Sequence, residues 1–157
     1  ALFVSLIMLS PLLPALVNVG SEEIVLTGSM FEAGYTVERE GRGAMRYGNG
    51  DYAGELQEGR PEGRGVWGSF GGTVYEGEWK ADEKEGRGVY RYADGNVESD
   101  FYKQGDPVGE GVGWMADGRR AARLRDGKGV EMISLEEARQ TVERLGLPLP
   151  SPLPGAA

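Results

Sequence analysis

The sequence contains no cysteine and no histidine. Without cysteine the chain has neither a disulfide framework nor thiolate chemistry. Without histidine it lacks the commonest metal ligand and the usual general base of enzymes. We therefore expect no catalytic residue, no metal site and no cofactor, and we predict that the protein is not an enzyme.

Charge is unevenly distributed along the chain. The net charge is −8, and the first 21 residues carry no charged side chain. All of the acidity therefore lies in residues 22–157. An acidic surface repels the phosphates of nucleic acids and of anionic lipids, so no nucleic-acid partner is expected.

The acidic residues form no recognisable metal or catalytic motif. The aspartates at positions 94, 100, 106 and 117 do not have the close spacing of a calcium loop. The carboxylate pairs Glu22-Glu23 and Glu136-Glu137 have the character of solvated surface or helix positions.

Glycine, by contrast, is abundant and periodic. The chain has 27 glycines, far above ordinary usage. The motif Gly-x-Gly occurs four times, and the second glycines are 22, 23 and 23 residues apart: Gly43, Gly65, Gly88 and Gly111. Seven residues after each of them comes a turn glycine: Gly50, Gly72, Gly95 and Gly118. A fixed period of this length indicates a repeat array.

The central repeat carries the clearest motif, Tyr75-Glu-Gly77-Glu-Trp79, which follows Gly65 and its turn glycine. This pattern resembles the MORN repeat, in which Gly-x-Gly and a short strand are followed by Asp-Gly and then Tyr-x-Gly-x-Trp. The resemblance covers roughly four repeats over residues 24–133. It implies a β-hairpin array that acts as a binding module, and it makes phospholipid headgroups a candidate ligand.

The outer repeats depart from this pattern. The first full repeat has Leu56 in the place of the tryptophan. The third has Glu98, Asp100 and Tyr102 in the places of the tyrosine, glycine and tryptophan. The fourth has Ala121, Arg123 and Arg125 there. We expect these changes to affect binding more than the fold.

Alternating strands and turns are predicted for residues 41–133. Asn-Gly and Asp-Gly pairs suit two-residue hairpin turns, because these residues accept positive φ. Such pairs end at Gly50, Gly95, Gly118 and Gly127. Longer polar connections are predicted at the opposite end of the hairpins, over residues 57–62, 80–85 and 103–108. The expected object is a row of antiparallel hairpins, each contacting mainly its neighbours.

Aromatic side chains alternate along these strands and are expected on one face. They include Tyr47, Tyr52, Trp67, Tyr75, Trp79, Tyr90, Tyr92 and Tyr102. Two interpretations remain open. The rings stack across strands as the core of a thin sheet, which glycines opposite them favour, or they form an exposed groove for a peptide.

Residues 1–20 are uncharged and long enough to cross a bilayer as a helix, although Pro11 and Pro14 would kink it. Three interpretations remain: a retained membrane anchor, a signal or transit segment, and an apolar arm buried in a partner. Residues 21–38 contain glutamates but no lysine or arginine. By the positive-inside rule this places the repeat domain on the non-cytoplasmic side.

The C-terminal region changes to helical spacing. Ser134 and Glu137 form a capping-box pattern, and Gly146 with the following Pro148 ends a helix over residues 134–146. We expect this helix to cover the open edge of the last hairpin. The proline-rich tail, residues 147–157, favours polyproline II and needs a contact to hold it.

One basic side chain recurs within three of the Gly-x-Gly motifs: Arg42, Arg64 and Arg87. These arginines are candidate lipid or partner contacts. The other interpretation is a solvated stripe that pairs with neighbours such as Glu62 and Glu85. The motifs lack the Gly-Lys-Ser/Thr ending of a phosphate loop.

The predicted fold is all-β: a single-layer antiparallel hairpin array of MORN type over residues 21–133, with an N-terminal hydrophobic helix (1–20), a capping helix (134–146) and a proline-rich tail (147–157). The predicted function is that of a non-enzymatic accessory or assembly subunit. It would dock on a membrane protein complex through its N-terminal segment and a rigid face of the repeats, in an organelle membrane such as the thylakoid or the inner mitochondrial membrane. A module that binds phospholipid headgroups is the alternative.

Overall fold

A computed structural model describes the backbone of residues 15–19, 22–26 and 36–39, and the backbone and side chains of residues 41–156. The strands are β1 (Ala15–Val19), β2 (Glu22–Leu26), β3 (Thr36–Arg39), β4 (Arg42–Tyr47), β5 (Gly50–Gln57), β6 (Arg60–Ser69), β7 (Val74–Lys80), β8 (Glu83–Arg91), β9 (Val97–Lys103), β10 (Asp106–Trp114), β11 (Ala121–Arg125) and β12 (Lys128–Ile133). The helix α1 spans Leu135–Leu145.

Strands β3 to β12 form one antiparallel sheet, in which each strand pairs with the strands before and after it in the chain. The repeat glycines stay in register across this sheet. Gly43 faces Gly54 and Gly54 faces Gly65, while Gly77 faces both Gly65 and Gly88. The predicted antiparallel hairpin array is therefore confirmed.

The predicted N-terminal helix is not supported. Residues 15–19 form β1, which pairs antiparallel with β2 in a separate two-stranded sheet. Val17, Val19, Ile24 and Val25 are β-branched, and such side chains favour strands over helices. The remainder of the predicted helix, residues 1–14 and residue 20, lies outside the described residues. Within the described part of the chain, no helix is long and apolar enough to span a bilayer.

The turns at one end of the sheet are shorter than predicted. The segments expected to be long connections contain two-residue turns at residues 58–59, 81–82 and 104–105, all with positive φ. The strands reach these turns through register shifts, such as those between Gly54 and Leu56 and between Gly77 and Trp79. In each shift one strand has one residue between the paired positions and its partner has three. A bulge of this kind absorbs the extra residues without ending the strand, so polar residues that resembled a loop are in fact paired.

At the other end, two of the predicted two-residue turns are longer loops. The pair at residues 94–95 lies in a loop closed by the Tyr92 N–H, which donates to the Asn96 carbonyl at 2.9 Å. The pair at residues 117–118 lies in a loop closed by the Met115 N–H, which donates to the Arg120 carbonyl at 2.9 Å. The turn at residues 126–127, which lies at the same end as the turns at 58–59, 81–82 and 104–105, does join paired residues directly, as predicted.

Helix α1 begins and ends at the predicted signals. The Glu137 N–H donates to Ser134 Oγ at 3.1 Å, and the Ser134 N–H donates to the Glu137 carboxylate at 2.9 Å, which completes the capping box. Gly146 ends the helix with a φ of 70°.

The helix does not cover the sheet edge as predicted, but packs on the face of β10 and β11. Its buried Ala138 and Val142 join the main core cluster there with Val112, Trp114 and Ala121. This face offers the apolar surface that the helix needs, whereas the edge strand β12 is exposed up to its last residue. A register shift in the β11–β12 pairing instead disrupts the edge of the sheet, which discourages further strand pairing.

The proline-rich tail is held on the same face as α1. Ser99 Oγ donates to the Pro148 carbonyl at 2.7 Å, and the Arg91 guanidinium donates to the Pro152 carbonyl at 2.9 Å. Leu147 is buried in the core cluster. The tail therefore crosses from α1 back to β8.

Candidate functional site

The large sheet has two chemically different faces, because successive side chains along a strand point to opposite sides. One face, termed the aromatic face, carries Tyr47, Tyr52, Trp67, Tyr75, Trp79, Tyr90, Tyr92 and Tyr102. The other, termed the arginine face, carries Arg42, Arg46, Arg64, Arg87, Arg91 and Arg123. Helix α1 and the tail pack on the arginine face.

Two tyrosines of the repeats lie directly against glycine backbone. A Cβ atom at Gly65 would overlap the ring of Tyr52, and a Cβ atom at Gly88 would overlap the ring of Tyr75. Both tyrosines are fully buried. The Tyr52 hydroxyl donates to the Glu55 carbonyl at 2.7 Å, so the buried phenol is satisfied. No residue with a side chain larger than that of glycine fits at this repeat position without displacing the tyrosine ring.

The rings also link one repeat to the next. Trp79 meets the edges of Tyr52 and Tyr75, with centroids 5.2 Å away in both cases. Tyr75 meets Tyr102 of the following repeat in the same way at 5.0 Å. Edge-to-face pairs at these distances stabilise the fold by more than the burial of their apolar area alone. The three buried rings, Tyr52, Tyr75 and Tyr102, are therefore core, as the first interpretation of the sequence holds.

Part of the aromatic face nevertheless forms an open groove of about 270 Å³. Its walls are Tyr47, Asn49, Trp67, Trp79, Asp82, Lys84 and Tyr90. The four rings in this set are only half-buried. The Tyr47 hydroxyl donates to the Asp82 carboxylate, which fixes the acid at the rim. We term this cavity the aromatic groove, and it corresponds to the second interpretation of the sequence.

Lys84 sits at the end of the aromatic groove against three rings. Its Nζ lies 5.5, 4.9 and 5.1 Å from the centroids of Tyr75, Tyr90 and Tyr102. Burial lowers the pKa of Lys84, and the negative charge of Asp106 partly offsets this. The distances are within the range of cation–π attraction, so the aromatic face holds a cation of its own.

Asp100 is a buried carboxyl in the row of repeat glycines. It has no exposed surface, it pairs with Gly88, and its carboxylate fills the space next to Gly111. Neither of its oxygens has a hydrogen-bond partner among the described residues. Burial, and secondarily the negative charge of Glu98, raises the pKa of Asp100 to about 7. The group is therefore an uncompensated acid inside the sheet.

The three arginines singled out from the sequence do lie in one row on the arginine face. Arg42 faces Glu55 and Arg64 faces Glu78 across the strand pairs. Arg87 Nε lies 3.4 Å from the Glu78 carboxylate, which also accepts from the Arg87 backbone N–H. These bonds hold the pKa of Glu78 below its usual value despite partial burial. The row is therefore interleaved with acids.

The expected pairing of this row with Glu62 and Glu85 is wrong. The Glu62 carboxylate accepts from the Ala81 N–H at 2.8 Å, and the Glu85 carboxylate accepts from the Gln104 N–H at 3.0 Å. Each glutamate instead accepts a hydrogen bond from a two-residue turn of the next hairpin, and so links two consecutive hairpins. The sequence alone did not reveal this, because the turns were assigned to the wrong end of the sheet.

A second groove, of about 380 Å³, lies between the arginine face and the tail. Arg64, Arg87 and Arg91 line it on the sheet side, together with Glu76, and residues 146–151 line it on the tail side. Arg42 borders a smaller neighbouring cavity with Arg64. Charges of both signs thus meet on this face.

The described residues contain no group of three or more acidic side chains placed to hold a metal ion. The sequence pattern did not indicate the groups that give the aromatic groove its polarity, Asp82 and Lys84. Asp82 is visible in the sequence only as one of many surface acids. The sequence does distinguish Lys84 from the equivalent positions of the neighbouring repeats, because those positions are Pro61 and Pro107.

Comparison with known families supports the repeat assignment. A family model for the MORN repeat matches residues 52–73 and 75–97. Each matched segment begins at a buried tyrosine, Tyr52 or Tyr75, and Trp79 of the second segment packs against the ring of Tyr52 in the first. No curated protein matches the chain.

Proposed function

We propose that this MORN-repeat protein is a non-enzymatic accessory or assembly subunit, which docks on a membrane protein complex through one face of its repeat sheet. Repeats of this family act as binding modules rather than as enzymes. The family assignment therefore supports the broad class, and the membrane complex is the finer part of the proposal.

The observation that carries the proposal is the difference between the two faces. Helix α1 and the tail bury the apolar part of the arginine face. On the aromatic face the half-buried Trp67, Trp79 and Tyr90 line an open groove instead. Aromatic residues around a groove are typical of protein-binding surfaces, and a continuous sheet presents them rigidly.

The membrane part of the proposal rests on the N-terminal sequence. Residues 1–20 carry no charge, so they favour a bilayer or an apolar cleft of the complex over water. An organelle membrane is the proposed location, the thylakoid or the inner mitochondrial membrane. The partners would be other subunits of the complex.

The test is site-specific photo-crosslinking in cells that express the full chain. A photoreactive phenylalanine analogue replaces either Tyr92 or Phe70, which are 40% and 49% exposed. Both lie near the same end of the sheet, but Tyr92 is on the aromatic face, whereas Phe70 lies under Arg46 of the arginine face, 5.1 Å from its guanidinium. We expect crosslinks to a discrete protein from position 92 and not from position 70. Absence of any discrete product at position 92 would refute docking through the aromatic face.

The alternative function is binding of phospholipid headgroups by the arginine row. Its support is that Arg42, Arg64 and Arg87 share one face. Each could add about 1 kcal/mol of attraction to an anionic membrane, but Glu55, Glu76 and Glu78 lie on that face as well. We therefore expect no salt-sensitive flotation of residues 21–157 with anionic vesicles. Flotation with anionic but not neutral vesicles, lost when the three arginines become alanine, would favour the alternative.

A further inference from the structure

The aromatic groove is lined by π-systems whose faces attract positive charge. Its walls include two tryptophans, Trp67 and Trp79, and two tyrosines, Tyr47 and Tyr90. Tryptophan is the strongest cation–π acceptor among the side chains. Trp79 Nε1 is already bonded to the Gly65 carbonyl at 3.1 Å, so this indole is held in place before any ligand arrives.

The charges on this side of the sheet reinforce that preference. Asp82 stands at the rim of the groove, and Glu98 lies on the same face. The Tyr92 hydroxyl donates to Glu98 at 2.8 Å. Lys84 places its ammonium group against Tyr75, Tyr90 and Tyr102, of which Tyr90 also lines the groove. The chain as a whole has a net charge of −8, which attracts a positive partner at long range.

Lys84 itself shows what the rings of this face accept. It occupies a position that holds proline in the neighbouring repeats, and there it places its ammonium group among three tyrosine rings. Asp106 is the nearby acid that offsets part of its burial. A second cation entering the groove from outside would meet the same kind of rings, with Asp82 in place of Asp106.

Two segments of the chain that could reach across the sheet do not supply that second cation. Residues 1–38 contain neither lysine nor arginine, so the N-terminal segment cannot supply it. The C-terminal tail is held on the opposite face through Arg91 and Ser99. A cation presented by another molecule would enter the groove without displacing either segment.

From this geometry we propose that the aromatic groove is a binding site for an arginine or lysine side chain, presented by an extended, positively charged segment of the partner protein. This inference rests on the proposed function, because it specifies the chemistry of the partner that docks on the aromatic face. Affinity comes from stacking of the cation on Trp67, Trp79 and Tyr90, and Asp82 gives the charge selectivity.

The test measures fluorescence anisotropy of a labelled peptide of alternating arginine and serine with the full chain. A peptide with citrulline in place of arginine is the neutral control. Asp82→Asn removes the rim charge while an asparagine tolerates the positive φ of 71° at this turn. Lys84→Gln removes the internal cation. Glu143→Gln removes one negative charge from the exposed part of α1 and is the matched control.

We expect the arginine peptide to bind and the citrulline peptide to bind much more weakly. Asp82→Asn should weaken binding about fivefold, the loss of one exposed ion pair, and Lys84→Gln should strengthen it because a repelling charge is removed. Glu143→Gln should leave the affinity unchanged. Trp67→Phe should weaken binding as well, since a smaller ring with a weaker quadrupole remains.

If instead Asp82→Asn strengthened binding and Lys84→Gln weakened it, the groove would take an anionic partner, and the proposal would be overturned. If Asp82→Asn and Glu143→Gln weakened the binding of the arginine peptide equally, the acidic chain would attract the peptide only through its overall charge. That result would also overturn the proposal. Failure here is distinguishable from failure of the proposed function. If position 92 still crosslinks to a discrete protein while the arginine peptide does not bind, docking stands and the cationic occupant is wrong.

Discussion

Replacement of Asp100 by asparagine should stabilise the protein at neutral pH and leave its stability in acid nearly unchanged. Asparagine keeps the shape of the side chain but cannot ionise. Asp100 is fully buried between Gly88 and Gly111, and no described residue donates a hydrogen bond to it. The neutral amide therefore stands in for the protonated carboxyl, and the comparison isolates the cost of its negative charge.

The magnitude follows from the pKa of the buried acid. Burial raises the pKa of Asp100 from 3.8 to about 7, a difference that corresponds to about 4 kcal/mol. The folded protein holds the proton more tightly than the unfolded chain does, so stability falls as the pH rises from about 4 to about 7. Below this window both states are protonated and the cost vanishes. Above it both are ionised and the whole cost is present.

Thermal unfolding of the two proteins at pH 4 and at pH 8 measures this effect. The midpoints should agree at pH 4, and at pH 8 the variant should melt higher by on the order of 10 °C. Glu98 and Tyr102, which interact electrostatically with Asp100, are present in both proteins. Their own titration therefore contributes to both melting curves, and the difference reports the charge of Asp100 together with its coupling to them. An equal gain at both pH values would show that ionisation is not the cause. A variant that is less stable than the parent at pH 8 would show that the carboxylate has a partner.

Three further predictions concern the stack and the N-terminal segment. Trp79→Ala should cost about 3 kcal/mol, because the half-buried ring loses its contacts with Tyr52 and Tyr75; an unchanged urea midpoint would contradict this. Gly65→Ala should destabilise strongly because its Cβ would overlap the Tyr52 ring, whereas Gly129→Ala, with nothing within 4 Å, should be tolerated; equal melting temperatures would rule out the steric argument. Deletion of residues 1–20 should release the chain from membranes in a carbonate wash, and a pellet that still contains the shortened chain would exclude the anchoring role.

The features that could be predicted from the sequence are those that one repeat fixes locally. The Gly-x-Gly period located the hairpins, because only glycine fits under the rings of Tyr52 and Tyr75. The helix ends were equally local, since Ser134, Glu137 and Gly146 act on the backbone next to them. No knowledge of the distant chain was needed for either.

The features that could not be predicted depend on pairing and packing between strands. Register shifts turned the predicted long connections into tight turns and moved the longer loops to the other end of the sheet. This error concealed the aromatic groove, because Asp82 and Lys84 lie at and beside such a turn. The packing site of α1 could not be predicted for a similar reason. The apolar face of β10 and β11 is recognised only when the strand pairing shows that Val112 and Trp114 point to the same side of the sheet.

The third repeat shows how a departure from the pattern is accommodated. In the preceding repeats a tyrosine ring fills the space over Gly65 or Gly88, and a glycine follows two residues later. Here Glu98 replaces the tyrosine and Asp100 replaces that glycine, so the Asp100 carboxyl occupies the space over Gly111 where a ring would otherwise lie. The volume is filled, but by an ionisable group instead of an apolar one. The same exchange therefore adds negative charge to the aromatic face, which would favour the cationic partner proposed above, and makes the stability of the sheet sensitive to pH.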